Sequence, residues 1–198
     1  GAGYPGHFFA KFEGWTKLKR INFHSNGLDD EGLGHVCEKF PNLEFIKLWH
    51  SKQLTDAAAE HFKKLKHLKG IEISCAKASS GLIKHLHELP MEYIALEYGV
   101  STPAADAIAT AKAIPTLRKL SLDAKDFTDT DLTTLASVPQ IQELSLSGID
   151  LPDARLSQLQ AFAHLKTFTL VRYGKGYPEE TQAKLKTLLP KVDVKFVK

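Results

Sequence analysis

The sequence predicts an α/β chain built as a solenoid of about seven and a half strand–turn–helix repeats, and three observations carry that prediction. An apolar frame recurs eight times. LKRINF (from Leu18), LEFIKL (Leu43), LKGIEI (Leu68), MEYIAL (Met91), LRKLSL (Leu117), IQELSL (Ile141), LKTFTL (Leu165) and LPKVDV (Leu189) each place apolar residues at the first, fourth and sixth positions. The frames start at steps of 25, 25, 23, 26, 24, 24 and 24 residues, a near-constant period that marks repeat architecture. Between frames lie stretches that open on Ser, Thr or Asp and then carry apolar residues three or four apart. That is the pattern of a capped helix with one apolar stripe.

Each element follows in order. Residues 1–17 are expected to form an apolar N-terminal cap, with Phe8, Phe9, Phe12 and Trp15 of HFFAKFEGW covering the first repeat. Residues 18–198 are the solenoid. Its helical halves are LDDEGLGHVCEKF, LTDAAAEHFKKL, SSGLIKHLHEL, STPAADAIATAKAI, FTDTDLTTLASV and LPDARLSQLQAF, and EETQAKLKTLL ends the series before a closing strand in KVDVKF. Pro41, Pro90, Pro115 and Pro139 stand just before the next strand, where a helix must stop. A single repeat cannot bury its own apolar face, so stacking supplies the core. The expected inward ladders are Ile21, Ile46, Ile71, Ile94, Leu120, Leu144 and Phe168, with Phe23, Leu48, Ile73, Leu96, Leu122, Leu146 and Leu170 beside them.

The first repeat, LKRINFHSNGL (residues 18–28), meets the pattern LxxLxLxxNxL in full, and the chain from residue 18 onward resembles the leucine-rich repeat family. The Leu/Thr/Asp helix openings resemble its bacterial and cysteine-containing subclasses. The resemblance implies a right-handed horseshoe with a parallel sheet on the concave face and helices on the convex face. After Asn26, however, the ninth position holds Ser51, Ala76, Gly99, Lys125, Ile149 and Tyr173, so the asparagine ladder of the family is mostly missing. The resemblance also implies noncatalytic recognition of a protein or peptide through the concave face. Two alternatives stand beside it: an accessory or targeting domain of a larger exported bacterial enzyme or cytochrome, and a carbohydrate or cell-wall binding module. A secreted, periplasmic or lipoprotein-anchored location follows from the same family habit.

Alternation along a strand sends the third, fifth and seventh repeat positions to the face opposite the core. Together with the eighth position, these concentrate aromatic, histidine and charged residues in the first four repeats. Phe45, Lys47, Trp49, His50, Glu72, Tyr93, Glu97 and Tyr98 are the candidate partner-binding set. An exposed Trp or Tyr among charges is the residue type that dominates interface energies. The competing reading lays Trp49 flat over its neighbours and makes Phe45 a groove filler. Repeats five and six offer mostly small polar side chains there.

Other chemistry is weaker. His24 and His50, with Glu72 one strand further, do not fix a metal geometry, and no metal or other cofactor is expected. His35, His61, His67, His85, His87 and His164 fall on helical segments and read as surface residues. Cys37 reads as a small core residue; Cys75 can be buried or exposed, and a disulfide between them is not expected. No nucleophile elbow, phosphate loop or HExxH motif is present, so the chain reads as a non-enzyme. The net charge is +3 from 26 Lys+Arg against 23 Asp+Glu, and Arg20, Lys47 and Lys119 are interspersed with Glu72, Glu97, Asp123 and Glu143. That mixed field argues against nucleic acid. No run of 18 apolar residues predicts a membrane span, and a monomer is expected. Gly1 reads as a cleavage scar, which leaves an upstream leader or domain open.

Overall fold

The computed structural model describes residues 6–24, 27–74, 77–97, 99–100 and 102–198. Eight strands, β1 (Arg20–His24), β2 (Phe45–Trp49), β3 (Gly70–Ser74), β4 (Tyr93–Glu97), β5 (Lys119–Asp123), β6 (Glu143–Ser147), β7 (Thr167–Val171) and β8 (Asp193–Val197), form one sheet in sequence order. Every neighbouring pair is parallel. Parallel neighbours need a crossover between them, and the helical half of each repeat supplies it.

The register sets like positions side by side. Ile21, Ile46, Ile71, Ile94, Leu120, Leu144, Phe168 and Val194 make one continuous row. Leu48, Ile73, Leu122 and Leu146 of the second row are 1%, 0%, 2% and 0% exposed. Both rows join helix residues such as Leu33, Phe62, Leu132 and Leu159 in a single hydrophobic core. Ile21 and Phe23 depart from the expected ladders. They are only half-buried, because β1 has a strand neighbour on one side alone. On its other side the 3₁₀ turn His7–Lys11 brings Phe9 to 5.4 Å from the Phe23 ring and 5.6 Å from Phe40, ring centre to ring centre. Phe9 is buried and Phe12 half-buried, while Phe8 and Trp15 keep about half their surface exposed.

The helical halves are less uniform than the sequence pattern suggests. Full helices form at α1 (Asp30–Lys39), α3 (Ala104–Ala113), α4 (Asp129–Ala136) and α6 (Glu179–Leu188). Repeats two and six have one α turn each, α2 (Ala59–Phe62) and α5 (Asp153–Leu156), joined to 3₁₀ turns at Asp56–Ala58 and Ser157–Phe162. Repeat three has 3₁₀ turns alone, Ser80–Ile83 and Leu86–Glu88. The correction has a physical reason. Repeat three is the shortest step at 23 residues, and a 3₁₀ turn, rising about 2.0 Å per residue against about 1.5 Å for an α-helix, crosses it with fewer residues.

Side chains also clasp one repeat to the next. The Asp30 carboxylate accepts from the Thr55 backbone N–H at 2.9 Å and its hydroxyl at 2.6 Å. Asp56 repeats the arrangement on Ser79 at 2.7 and 2.6 Å. In both cases the acidic residue that opens one helical half bonds the residue capping the next. Asp129 accepts from Arg155 and Gln158 at 2.7 and 3.0 Å, and Asp153 from Lys184 at 2.8 Å. At the corresponding positions of repeats three and four stand Ser80 and Ala104, which carry no carboxylate.

Candidate functional site

Opposite the core rows, three rows of side chains cross the sheet. The first runs Arg20, Phe45, Gly70, Tyr93, Lys119, Glu143 and Thr167. Gly70 decides its shape. A Cβ there would lie 2.5 Å from Phe45 Cδ2, because the Phe45 and Tyr93 rings lean in from both sides and stack at 6.0 Å with 18° between planes. Arg20 caps the Phe45 ring at 3.8 Å and Lys119 lies 4.8 Å from the Tyr93 ring centre. The result is a cation–ring–ring–cation stack across five strands, held by quadrupole attraction on both sides.

The second and third rows meet at Trp49. Its indole N–H donates to Glu72 Oε1 at 2.9 Å, Lys47 Nζ sits 3.7 Å above the ring, and the His24 ring packs at 4.9 Å. Lys47 also pairs with Glu72 at 2.7 Å, with only 23% and 13% of the two side chains exposed. Such a pair is screened much less than a surface one. The expectation of a contiguous exposed aromatic patch is therefore corrected: Phe45, Trp49 and Tyr93 are half-buried, since neighbouring strands bring cations, Glu72 and each other over their faces. Burial, and then the nearby Glu72, Glu97 and Glu143 carboxylates, push the Tyr93 phenol well above its ordinary value.

Where the remaining candidates fall is equally specific. His50 is exposed just past β2 and takes a left-handed backbone, φ 57°, the region glycine usually occupies; Gly148 takes it at the same repeat position with φ 74°. Glu97 is half-buried and accepts from the Ser121 hydroxyl at 2.7 Å. Tyr98 lies outside the described residues, as do Ser25 and Cys75. His24 and His50 do approach, at 5.6 Å between ring centres, but the Glu72 carboxylate is already engaged by Trp49 and Lys47. Several positions expected on the solvent side, Gly70, Ser74, Ala95, Ser121 and Ala124, are buried, because small side chains sink between larger neighbours. Cys37 is buried in the core, and burial pushes its thiol up to about 12. His85 is not a simple surface residue: its ring contacts Glu60 at 2.7 Å and Glu88 at 2.9 Å.

The second half of this face holds what the sequence did not single out. A hollow of about 370 Å³ lies over β4 to β8, with Tyr93, Glu97, Lys119, Glu143 and Lys195 around it and Ser121, Ser145, Thr167 and Thr169 among its lining. The Ser145, Thr167 and Thr169 hydroxyls have no hydrogen-bond partner among the described residues. The one available signal was the run of small hydroxyl residues at the fifth position of repeats five to seven, Ser121, Ser145 and Thr169, with Thr167 at the third position of repeat seven, adjacent to large side chains in repeat four. No helix among the described residues is long and apolar enough to cross a membrane.

No family model matches the chain. No curated protein matches it. Among solved structures, it is similar to a chain of the "Crystal structure of TLR13-ssRNA13 complex", at 13% sequence identity and a TM-score of 0.35, over 88% of this chain and 33% of that one. The chain thus spans about a third of the length of the structure it matches.

Proposed function

We propose that this chain is a noncatalytic recognition module of the leucine-rich repeat type that binds a protein or peptide through the concave face of a horseshoe-shaped sheet. The observation that carries the reading is the 370 Å³ hollow beside a braced aromatic and charged rim on the face opposite the core. The rim, built from Phe45, Lys47, Trp49, Glu72 and Tyr93, is already braced by its own contacts. Binding there spends little entropy on ordering side chains. Glu97, Lys119 and Glu143 offer both signs of charge, and the unpartnered hydroxyls offer donors and acceptors to a peptide backbone crossing the strands. His50 extends the rim at the end of β2.

Selection of a random peptide library on the immobilised protein tests this. Selected peptides should lose at least tenfold in affinity on Tyr93→Ala or Lys119→Glu and keep it on Lys112→Ala, on helix α3. Peptides that ignore the first two changes would remove this face as the site. A second reading, carbohydrate binding, is favoured by the three free hydroxyls with carboxylates beside them, a set that suits a polyhydroxylated neutral ligand. A glycan array decides for it if sugars bind, Thr169→Val weakens them, and no peptide competes.

A further inference from the structure

The N-terminal turn and the first helix bring together three groups that neither the open face nor the core uses. Glu31 and His35 stand one turn apart on α1, and His7 comes from the 3₁₀ turn docked against it. His7 Nδ1 lies 3.7 Å from Glu31 Oε1, and His35 Nε2 lies 3.8 Å from the same oxygen. One ligand atom from each residue falls within 4.8 Å of the other two. We propose that His7, Glu31 and His35 bind a divalent transition-metal cation of the zinc class, which clamps the N-terminal segment to the first repeat.

The donor set suits that cation. Zinc takes imidazole nitrogens at about 2.0–2.1 Å and carboxylate oxygens at about 2.0–2.2 Å in a tetrahedron, which sets ligand atoms about 3.4 Å apart by the same geometry. The two imidazole–carboxylate spacings exceed this by a few tenths of an ångström, and the two imidazole nitrogens, within 4.8 Å of each other, must also draw together. Rotation of the exposed Glu31 and His7 side chains, 70% and 44% exposed, supplies that adjustment. Two imidazoles and one carboxylate leave a fourth position on the solvent side for water.

Two features prepare the site. Gly6, at φ 87°, approaches α1 so closely that a Cβ there would lie 2.9 Å from Gly32 Cα, which fixes the backbone one residue before His7. Asp29 then orients the ring. Its Oδ1 accepts from the Gly32 N–H at 2.8 Å as the helix cap, and its Oδ2 lies 3.3 Å from His7 Nε2. With the proton on Nε2 and donated to Asp29, the Nδ1 lone pair faces Glu31. A carboxylate behind a ligating histidine is the arrangement that fixes tautomer and raises ligand basicity at metal sites. The other close histidine pair, His24 and His50, has no free third ligand among the described residues.

The test titrates Zn²⁺ into untagged, chelator-treated protein and follows heat and melting temperature, with Co²⁺ absorption reporting coordination. Wild type should bind one equivalent and melt higher with metal. His7→Ala and His35→Ala should each lose at least tenfold in affinity and the metal-dependent rise, and His24→Ala with His50→Ala should change neither. Asp29→Asn keeps a good cap, so its metal-free melting should stay close to wild type, while affinity falls about 10–100-fold. The proposal is overturned if wild type does not bind, if both His7→Ala and His35→Ala bind as tightly as wild type, or if the His24 and His50 pair abolishes binding.

Discussion

The two halves of the open sheet face solve opposite problems with the same backbone. Over β1 to β4, large side chains satisfy one another: Glu72 holds both Lys47 and the Trp49 indole, and Phe45 stacks on Tyr93 across Gly70. Over β5 to β8, small hydroxyl residues leave a hollow in whose lining Ser145, Thr167 and Thr169 have no hydrogen-bond partner among the described residues. Residue types most often found at interfaces are here bound up in the scaffold, and the plain stretch beside them has the unspent hydrogen-bonding capacity. Residue identity alone therefore does not tell which groups on a face are left unsatisfied; the cross-strand neighbours decide that.

Both halves rest on the same core rows, so the largest expected effect abolishes the comparison. Leu122→Ala, at the centre of the stack, should cost about 2–5 kcal/mol by denaturant titration. The next acts on that shared core through pH. The Cys37 thiol is raised from its ordinary 9.0 to about 12 by burial, with Lys64 opposing and Glu38 adding to the shift. An unfolded thiol ionises first as pH rises, so this stabilisation is complete below pH 9 and is lost between 9 and about 12. On the order of 4 kcal/mol is at stake by the upper end. In a Cys75→Ser background, Cys37→Ala should flatten that alkaline decline, and an unchanged slope would show that the thiol is not its source.

Smaller changes sharpen the contrast. Glu72→Ala removes the acceptor of two half-buried donors and should destabilise by about 2 kcal/mol. Gly70→Ala drives a methyl into the Phe45 ring and should cost about 1–2 kcal/mol through overpacking, with altered near-ultraviolet circular dichroism from the displaced stack. In the second half, Thr169→Val should move stability by less than about 0.5 kcal/mol. A loss at Thr169 as large as that at Glu72 would erase the distinction between a braced half and an open one.

The core was legible in the sequence because it depends on local spacing: apolar residues at three fixed positions, repeated eight times, already put Leu48 beside Ile73 and Leu122 beside Leu146. The face opposite was legible only as a set of positions. Whether Trp49 stands free depends on Lys47 on its own strand and on Glu72 about one repeat away, reaching it together, and on His24 closing the third side. The hollow is harder still, since it arises from what Ser145, Thr167 and Thr169 lack in bulk. His7, Glu31 and His35 come together only once the N-terminal turn has docked. The helical halves were overread where the repeat is too tight for α geometry, as at Ser80–Ile83.

The carboxylate clasps described above, Asp30 on Thr55, Asp56 on Ser79, Asp129 on Arg155 and Asp153 on Lys184, stop where Ser80 and Ala104 replace the acid. In a stacked array, cooperativity is the sum of such nearest-neighbour couplings, and it breaks first where one coupling is weakest. The loss of these clasps predicts a seam between the third and fifth repeats, where the strands stay paired but the carboxylate couplings are missing. Hydrogen exchange should reveal two cooperative blocks meeting there, with amides of Ala104–Ala113 opening at lower free energy than those of Asp30–Lys39 or Asp129–Ala136. Because the hollow begins on β4, a ligand bridging Tyr93 and Thr169 would span that seam and fuse the two blocks into one unfolding unit.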